Sequence, residues 1–497
     1  MIASVVVRAA TARLQEQAIV IPLYRGTRRL PAQAPFTDRT VASAAAALLN
    51  GFAAKRGETR TASVPGAGGK LTHVIVAGLG DRTAATPEDI ADAAGAAANA
   101  LARTRAATVA IAVDPALDGA TDAAAILHAL LKGWLLAGYS YKVGARRKTA
   151  VRKLVVVSAQ PARILTPTVR RARLIAGLVN VTRDWVNTPA NDLPPAALAD
   201  AARALCKEHG VGCRVMGPAD IRKAAMGGVL AVSVGSRAEP RFVVMEYNLS
   251  RRDLPLVCLV GKGVTFDSGG ISIKPWEKMN EMKGDMAGGA AVVAALAACA
   301  QLELPLRVVG LVPCVENMPG GAAFRPGDVL RMYSGKTVEV LSTDAEGRLI
   351  LADAVAYGVD RYRPDVVVDI ATLTGGAIIA LGTRVAPIMG TDPGQVEAVR
   401  AAGAAAGEPA WPLPLDERYF DLIRGEISDY KNYGGRGASP ITGGAMIGAF
   451  AGTTPWVHID IAGPGWNDGG GASYYSRGGT GFGVDLLVRF LESTATG

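Results

Sequence analysis

Histidine and the aromatics are scarce in this sequence, with 4 His, 6 Trp, 12 Tyr and 9 Phe among 497 residues. No His-x-x-x-His or His-Glu-x-x-His spacing occurs, which excludes the helix-borne designs that hold a single zinc ion. The cysteines (Cys206, Cys213, Cys258, Cys299 and Cys314) are odd in number and never spaced Cys-x-x-Cys. In a chain this long they read as reduced, mostly buried thiols, so neither a disulfide frame nor a zinc knuckle is expected. Long apolar runs are missing too. The stretch 287–300 is rich in Ala and Gly and falls short of the roughly 18 residues that a membrane span needs. The apolar start is cut by Arg8 before it reaches the about 7–15 residues of a secretory core. A cytoplasmic location is therefore expected. Gly261-Lys-Gly and Gly66-Ala-Gly-Gly-Lys70 both fail the G-x-x-x-x-G-K-[ST] spacing of a phosphate loop. No Gly-x-Ser-x-Gly elbow presents a serine nucleophile.

What is present is a long, glycine-rich chain with ample hydrophobic content, 49% by composition and 59 Gly. Its length exceeds the size at which one core keeps growing, so two domains are expected. Charge is unevenly divided. Residues 1–180 hold 24 Lys and Arg against 10 Asp and Glu, a net +14, whereas the remainder holds 29 against 34, a net −5. The basic part reads either as a solvated surface or as a face for nucleic acid or an acidic partner. Its densest clusters are Arg146-Arg-Lys148 with Arg152-Lys153, and Arg170-Arg171 with Arg173.

Residues 1–165 alternate strand candidates (4–7, 72–77, 107–113, 153–157) with Ala-rich helical stretches (87–103, 122–135), the pattern of a mostly parallel sheet covered by helices. A linker over 166–190, helical at 169–186, leads to Asn187-Thr-Pro-Ala-Asn-Asp-Leu-Pro-Pro195, whose prolines stop one helix and open the next. Over 191–497 fully apolar strand candidates (254–260, 306–312, 366–370) alternate with helices (282–302, 348–359, 481–491). Strands apolar on both faces imply a second α/β domain with its sheet covered on both sides.

Chemistry concentrates between Val260 and Leu351. Gly261-Lys-Gly-Val-Thr-Phe-Asp-Ser-Gly-Gly-Ile-Ser-Ile-Lys-Pro275 follows a buried strand, Met279-Asn-Glu-Met-Lys-Gly-Asp-Met286 opens a helix, and Ser342-Thr-Asp-Ala-Glu-Gly-Arg-Leu349 again joins strand to helix. Ligands of open α/β sheets sit at such strand ends. Asp267, Asp285, Asp344 and Glu346 are expected on one rim, with Lys262, Lys274 and Arg348 as the nearest cations. Four carboxylates cannot all stay ionised in a closed site without compensating cations, and divalent ions with oxygen ligands are the usual solution. Asp344-Ala-Glu346 puts two carboxylates on one side of an extended segment. Taken alone that pair is a weak signal. His458, in Trp456-Val-His-Ile-Asp-Ile461, alternates along a strand and reads as a packing residue.

These stretches resemble the signatures of the leucyl (cytosol) aminopeptidase family. Supporting pieces run in the family's order: Val186-Asn-Thr-Pro-Ala-Asn191, Glu316-Asn-Met-Pro319 with Arg325-Pro-Gly-Asp328, Thr372-Leu-Thr-Gly375, and Trp456-Val-His-Ile-Asp-Ile-Ala-Gly463. The resemblance covers about residues 180 to 497; the first domain matches by position and fold type. It implies a smaller N-terminal macro-like α/β domain and a larger C-terminal α/β catalytic domain with a mixed sheet covered by helices. It also implies a two-metal aminopeptidase, acting on peptides with a free N-terminus and preferring leucine or other apolar residues. The implied metal ligands are Lys262, Asp267, Asp285, Asp344 and Glu346, with Asp267 and Glu346 bridging, and the implied catalytic residues are Lys274 and Arg348. The metals, Mn²⁺ or Zn²⁺ with Mg²⁺ as a further choice, would activate a bridging hydroxide. Lys274 would stabilise the oxyanion, and Arg348 would hold a bicarbonate acting as base. Met282, Thr372, Leu373 and Gly375 are the implied substrate contacts, and a homohexamer is the implied assembly.

As a metal ligand Lys262 must be neutral, which burial beside two dications favours; the alternative is that it pairs with carboxylates. Three positions depart from the family pattern. Ser342 stands in place of Asn, Gly284 in place of a bulky residue, and Gly320-Gly-Ala-Ala-Phe324 is smaller than usual. Gly284 implies a looser ligand support or an enlarged pocket. A nucleic-acid-binding regulator and a structural pseudo-enzyme are the rival readings. The second requires a lost ligand, and none is lost.

Overall fold

A computed structural model of the chain describes residues 2, 4–9, 15–30, 39–66, 71–102, 104–117, 122–143 and 151–496. Two compact units emerge. One comprises Met1–Asn180 with the returning segments Ala405–Gly407 and Gly469–Ser476; the other comprises Val181–Ala404, Glu408–Asp468 and Arg477–Gly497. The division falls inside a single helix, Ala162–Asn187, that starts ahead of the stretch expected from sequence. Pro167 lies inside that helix, just beyond its first turn, where it removes the N–H that would otherwise reach the Arg163 carbonyl.

The first unit is built on a six-stranded sheet in the order Ser4–Ala9, Lys153–Ser158, Thr108–Ala112, Ala18–Leu23, Leu71–Gly78, Thr59–Pro65. All neighbours are parallel except the last pair. The expected strands and both expected helices, now Pro87–Leu101 and Ala123–Ala137, are present. Thr86 caps the first of these in a reciprocal box with Asp89. Strand Ala18–Leu23 and edge strand Thr59–Pro65 complete the sheet. Several basic side chains of this unit are engaged in pairs, Arg8 with Glu16 at 3.0 Å and Arg25 with Asp81 at 2.8 Å. The Arg171 guanidinium lies 3.2 Å from the His128 ring nitrogens. The cluster Arg146-Arg-Lys148 lies outside the described residues.

The second unit carries a nine-stranded mixed sheet. Its main path runs Ala410–Pro412, Ala386–Gly390, Trp456–Asp460, Val366–Ala371, Leu256–Gly261, Arg307–Asn317, Arg241–Tyr247, Gly212–Met216. Strand Gly263–Asp267 pairs with the far half of Arg307–Asn317. The middle strands are buried along their whole length, as their unbroken apolar sequences require. Against them lies the helix Ala287–Gln301, buried on every side through Cys299. The segment Met279–Gln301 is long and apolar enough to cross a membrane by composition, but 89% of its most apolar window is buried within the fold, so it is a core helix. Small residues allow this contact. A Cβ on Gly288 would stand 2.1 Å from the Ile370 carbonyl oxygen, and one on Gly261 would stand 2.6 Å from that of Gly288. His458 is a packing residue of this core, its Nδ1 2.6 Å from an Asp369 carboxylate that also accepts the Trp456 indole N–H.

Helix Gly347–Tyr362 covers the same sheet and carries one fully buried acid, Asp353. Its oxygens accept the backbone N–H groups of Val229 at 3.0 Å and Tyr333 at 2.7 Å, which ties three segments together. Burial pushes this carboxyl up from 3.8 to about 7, against the pull of those donors. Between those two values the folded state holds a proton that the unfolded state has released. The group's contribution to stability therefore falls as pH rises from 3.8 to about 7 and is level above. Asp353→Asn is expected to flatten that slope, and to cost about 1–3 kcal/mol because one backbone N–H then faces an amide NH₂. Denaturant unfolding of both proteins across pH 4–8 tests this.

Candidate metal centre

The site forms where the strand Leu256–Gly261 ends and the chain steps sideways into Gly263–Asp267. Lys262 is the stepping residue. Its N–H donates to the Ile370 carbonyl at 3.1 Å and its own carbonyl accepts the Gly289 N–H at 2.7 Å, so its backbone is fixed by a strand on one side and a helix start on the other. The second step ends at Asp267, followed by Gly269 and Gly270 at φ of +87° and +65°, a turn suited to glycine. Asp285 closes the 3₁₀ turn Met279–Gly284, and Asp344 and Glu346 lie just before the helix Gly347–Tyr362.

These segments bring all four predicted carboxylates together with two lysines. Lys262 Nζ lies 2.7 Å from Asp285 Oδ2 and 2.8 Å from Glu346 Oε1, and Lys274 Nζ lies 2.8 Å from Asp267 Oδ2 and 2.5 Å from Asp344 Oδ1. Lys262 also donates to the Thr372 carbonyl at 2.9 Å. Burial raises the pKa of Asp267, Asp285 and Asp344, and the neighbouring carboxylates raise it further against the pull of the lysines. Burial alone would lower the two lysines, but the surrounding carboxylates outweigh it and hold both ammoniums above their ordinary value. Two ammoniums thus serve four acids.

The donor set fits divalent cations. Asp267, Asp344 and Glu346 each offer an oxygen within 4.8 Å of the others. Asp285 Oδ2 and Glu346 Oε1 are buried and have no hydrogen-bond donor in line, although the Lys262 ammonium is close by. Hard, anionic, under-donated oxygens are the ligands such ions take.

A cavity of about 390 Å³ opens onto this cluster. Lys262, Asp267, Lys274, Asp285 and Asp344 line it, as do the four predicted substrate contacts Met282, Thr372, Leu373 and Gly375. Glu346 and Arg348 are buried and are not among the lining residues. Arg348 donates to the Asn432 carbonyl at 3.0 Å, and burial lowers its pKa despite the acids around it. Thr372 serves the cluster as well as the cavity, its hydroxyl donating to Asp285 Oδ1 at 2.7 Å. Gly284 leaves no vacant space, because a Cβ there would meet the Trp466 ring at 3.2 Å. The indole takes up the room of a larger side chain.

Comparison with known proteins identifies the family. The profile of the cytosol aminopeptidase family, catalytic domain, matches residues 180–488, and that of the same family's N-terminal domain matches 20–145. The chain belongs to the cytosol aminopeptidase family. Members of this family are metal-dependent aminopeptidases, and the chain is one of them. It is 49% identical over 324 residues to the "probable cytosol aminopeptidase" of Roseiflexus castenholzii, covering 65% of this chain and 66% of that one. To the protein of the same name from Geotalea uraniireducens it is 42% identical over 372 residues, covering 74% and 75%. Among solved structures, the bottromycin maturation enzyme BotP in complex with Mn superposes with a TM-score of 0.85 at 36% identity, covering 97% of this chain and all of that one.

Sequence reasoning placed Asn317 in a family motif without giving it a role. It is fully buried, and its Nδ2 donates to Asp267 Oδ1 at 2.8 Å and to the Thr343 carbonyl at 2.9 Å. One amide thereby fixes two of the loops that carry the acids. The signal was present as a polar residue ending the apolar strand Arg307–Asn317 beside the Asp267 strand. Asn317→Ala is expected to weaken metal binding about 10- to 100-fold, as loss of a ligand's hydrogen-bonded support does. Metal titration monitored by calorimetry would measure it, with circular dichroism as the check on folding.

Proposed function

We propose that this aminopeptidase releases leucine and other apolar N-terminal residues from peptides with a free amino group. The carrying observation is the convergence of four carboxylates on two lysines, with three of those acids and both lysines lining one cavity. Two divalent cations per subunit, Mn²⁺ or Zn²⁺ with Mg²⁺ as the third choice, would be held by Lys262, Asp267, Asp285, Asp344 and Glu346. Bound there, such a pair supplies Lewis acidity and a hydroxide nucleophile near neutral pH.

The remaining roles fall to the chain itself. As a ligand, Lys262 gives up the Nζ proton that Asp285 and Glu346 otherwise stabilise. The Lys274 ammonium, its side chain 22% exposed toward the cavity, is placed to stabilise negative charge growing on the scissile carbonyl oxygen. Arg348 keeps its charge at every working pH and so acts by holding a base, here a bicarbonate, and not by taking the proton. Met282, Leu373 and Ile378 supply an apolar wall for the N-terminal side chain. The protein is proposed to work in the cytoplasm as a homohexamer, as its family does.

Chelation is expected to abolish hydrolysis of leucinamide, and Mn²⁺ or Zn²⁺ to restore it. Asp344→Ala should lose metal and activity together. Lys274→Ala should retain both metals yet turn over about 10²–10³-fold more slowly, with a milder loss in Arg348→Ala. Metal analysis alongside turnover decides between these outcomes, and full activity of metal-free protein would refute the assignment.

A further inference from the structure

The strands Val366–Ala371 and Trp456–Asp460 run parallel, with Ala371 paired to Asp460 at their ends. Both chains leave the sheet at that point, and each becomes a wall of the catalytic cavity. Leu373 and Thr374 line it from one chain, Ala462 and Gly463 from the other. Asp460 is not among the lining residues; it is fully buried where the two walls diverge.

One carboxylate gathers donors from both walls. Its Oδ1 accepts the Leu373 N–H at 3.1 Å and the Ala462 N–H at 3.0 Å, and its Oδ2 accepts the Thr374 hydroxyl at 2.7 Å. The Thr374 hydroxyl in turn accepts the Ala377 N–H at 3.2 Å and so caps the helix Gly375–Leu381, whose Ile378 also lines the cavity. Hydrogen bonds to a carboxylate are about twice as strong as those between neutral groups, so the spacing of the walls is set stiffly. Thr372, one residue before Leu373, answers to a different anchor. Its hydroxyl donates to Asp285 and its carbonyl accepts Lys262. The acid cluster and the substrate wall are thus held separately.

A peptide held by its N-terminal residue meets both walls in the bound state and in the transition state alike. We infer that Asp460 is a positioning residue for the substrate: it fixes the spacing of the two cavity walls and thereby sets the affinity for the N-terminal side chain, without supporting the metals. This rests on the aminopeptidase reading proposed above. Loss of contacts made equally in both states raises KM and leaves kcat in place. With alanine at 460 the Leu373 and Ala462 N–H groups and the Thr374 hydroxyl would lose their shared acceptor, and each wall would shift toward other partners. Asparagine would keep an oxygen in the place of Oδ1, and with it both backbone bonds.

The test measures metal content, kcat and KM of Asp460→Ala, Asp460→Asn and Thr374→Val on the metal-loaded enzyme, with leucinamide and alaninamide as substrates. Asp460→Ala is expected to bind its metals in full and to keep kcat within about twofold, with KM for leucinamide raised about tenfold or more. KM for alaninamide should rise less, since the shorter side chain reaches less of the wall. Asp460→Asn should keep KM within about threefold, because both backbone donors retain an acceptor. Thr374→Val removes one bond of the three and should raise KM about fivefold, the scale of one hydrogen bond; it decides the outcome if Asp460→Ala does not fold. A fall in kcat at constant KM, loss of metal, equal losses on both substrates, or an asparagine variant as impaired as alanine overturns the inference, as does an unchanged KM in Thr374→Val. Failure of the unmodified enzyme on leucinamide would instead refute the aminopeptidase reading, and this inference with it.

Discussion

Like charges confined to a small volume dominate this molecule. Two carboxylates about 4 Å apart repel by roughly 4 kcal/mol at the effective dielectric of a protein surface, and more in its interior. Here four of them share one strand-end rim. Several polar groups nearby donate to the acids and relieve that repulsion. Two lysines bridge the acids in pairs, the Thr372 hydroxyl and the Asn317 amide each donate to one, and the Gly269 N–H donates to Asp267 at 2.9 Å. The compensation is incomplete, which is why burial and mutual repulsion raise the proton affinity of three of the acids. Divalent cations bound there would complete it.

Holding that arrangement is the task of backbone far more than of side-chain flexibility. The segments that carry the acids are cross-tied. Thr343 and Ser272 exchange hydrogen bonds between backbone and hydroxyl, and the Thr343 hydroxyl donates to the Gly269 carbonyl at 2.6 Å. Asn432 spans the other side, its amide donating to the Ser342 and Ala345 carbonyls while its own carbonyl receives Arg348. Asp460 does the same for the cavity wall, accepting the Leu373 N–H, the Thr374 hydroxyl and the Ala462 N–H. A cluster with this much repulsion keeps its geometry because each loop that carries a charge is anchored to another.

Much of this was legible beforehand. Apolar strands followed by polar, glycine-rich turns marked the rim, and the inventory of acids without histidine pairs narrowed the metal chemistry. The edge strand Thr59–Pro65 was not legible, because its alternation is polar and its place is set by pairing with Leu71–Gly78. The strand Ala18–Leu23 offered a short apolar run that periodicity alone does not separate from a helix. The helix expected over 282–302 proved to be a 3₁₀ turn followed by an α-helix from Ala287, with Asp285 at the join. Nothing local in the sequence announces that break. Asn317, Asn432 and Asp460 escaped a role for a different reason. They act on loops distant in sequence, and only the folded chain shows which.

The glycines around the rim carry a second kind of information. Gly261, Gly263 and Gly288 stand where any side-chain carbon would enter a neighbouring carbonyl, at 2.6, 2.4 and 2.1 Å. Their identity is dictated by how closely helix approaches sheet and, at Gly263, strand approaches strand, whatever chemistry the rim performs. A descendant of this fold that abandoned catalysis would still be compelled to keep them, so the motif would outlast the reaction. The acids have no such protection. Asp344, with 38% of its side chain exposed, is the acid such a lineage would lose most readily, because it is the least buried of the four. Inactive cousins of this protein are therefore to be recognised by intact glycines beside a missing Asp344.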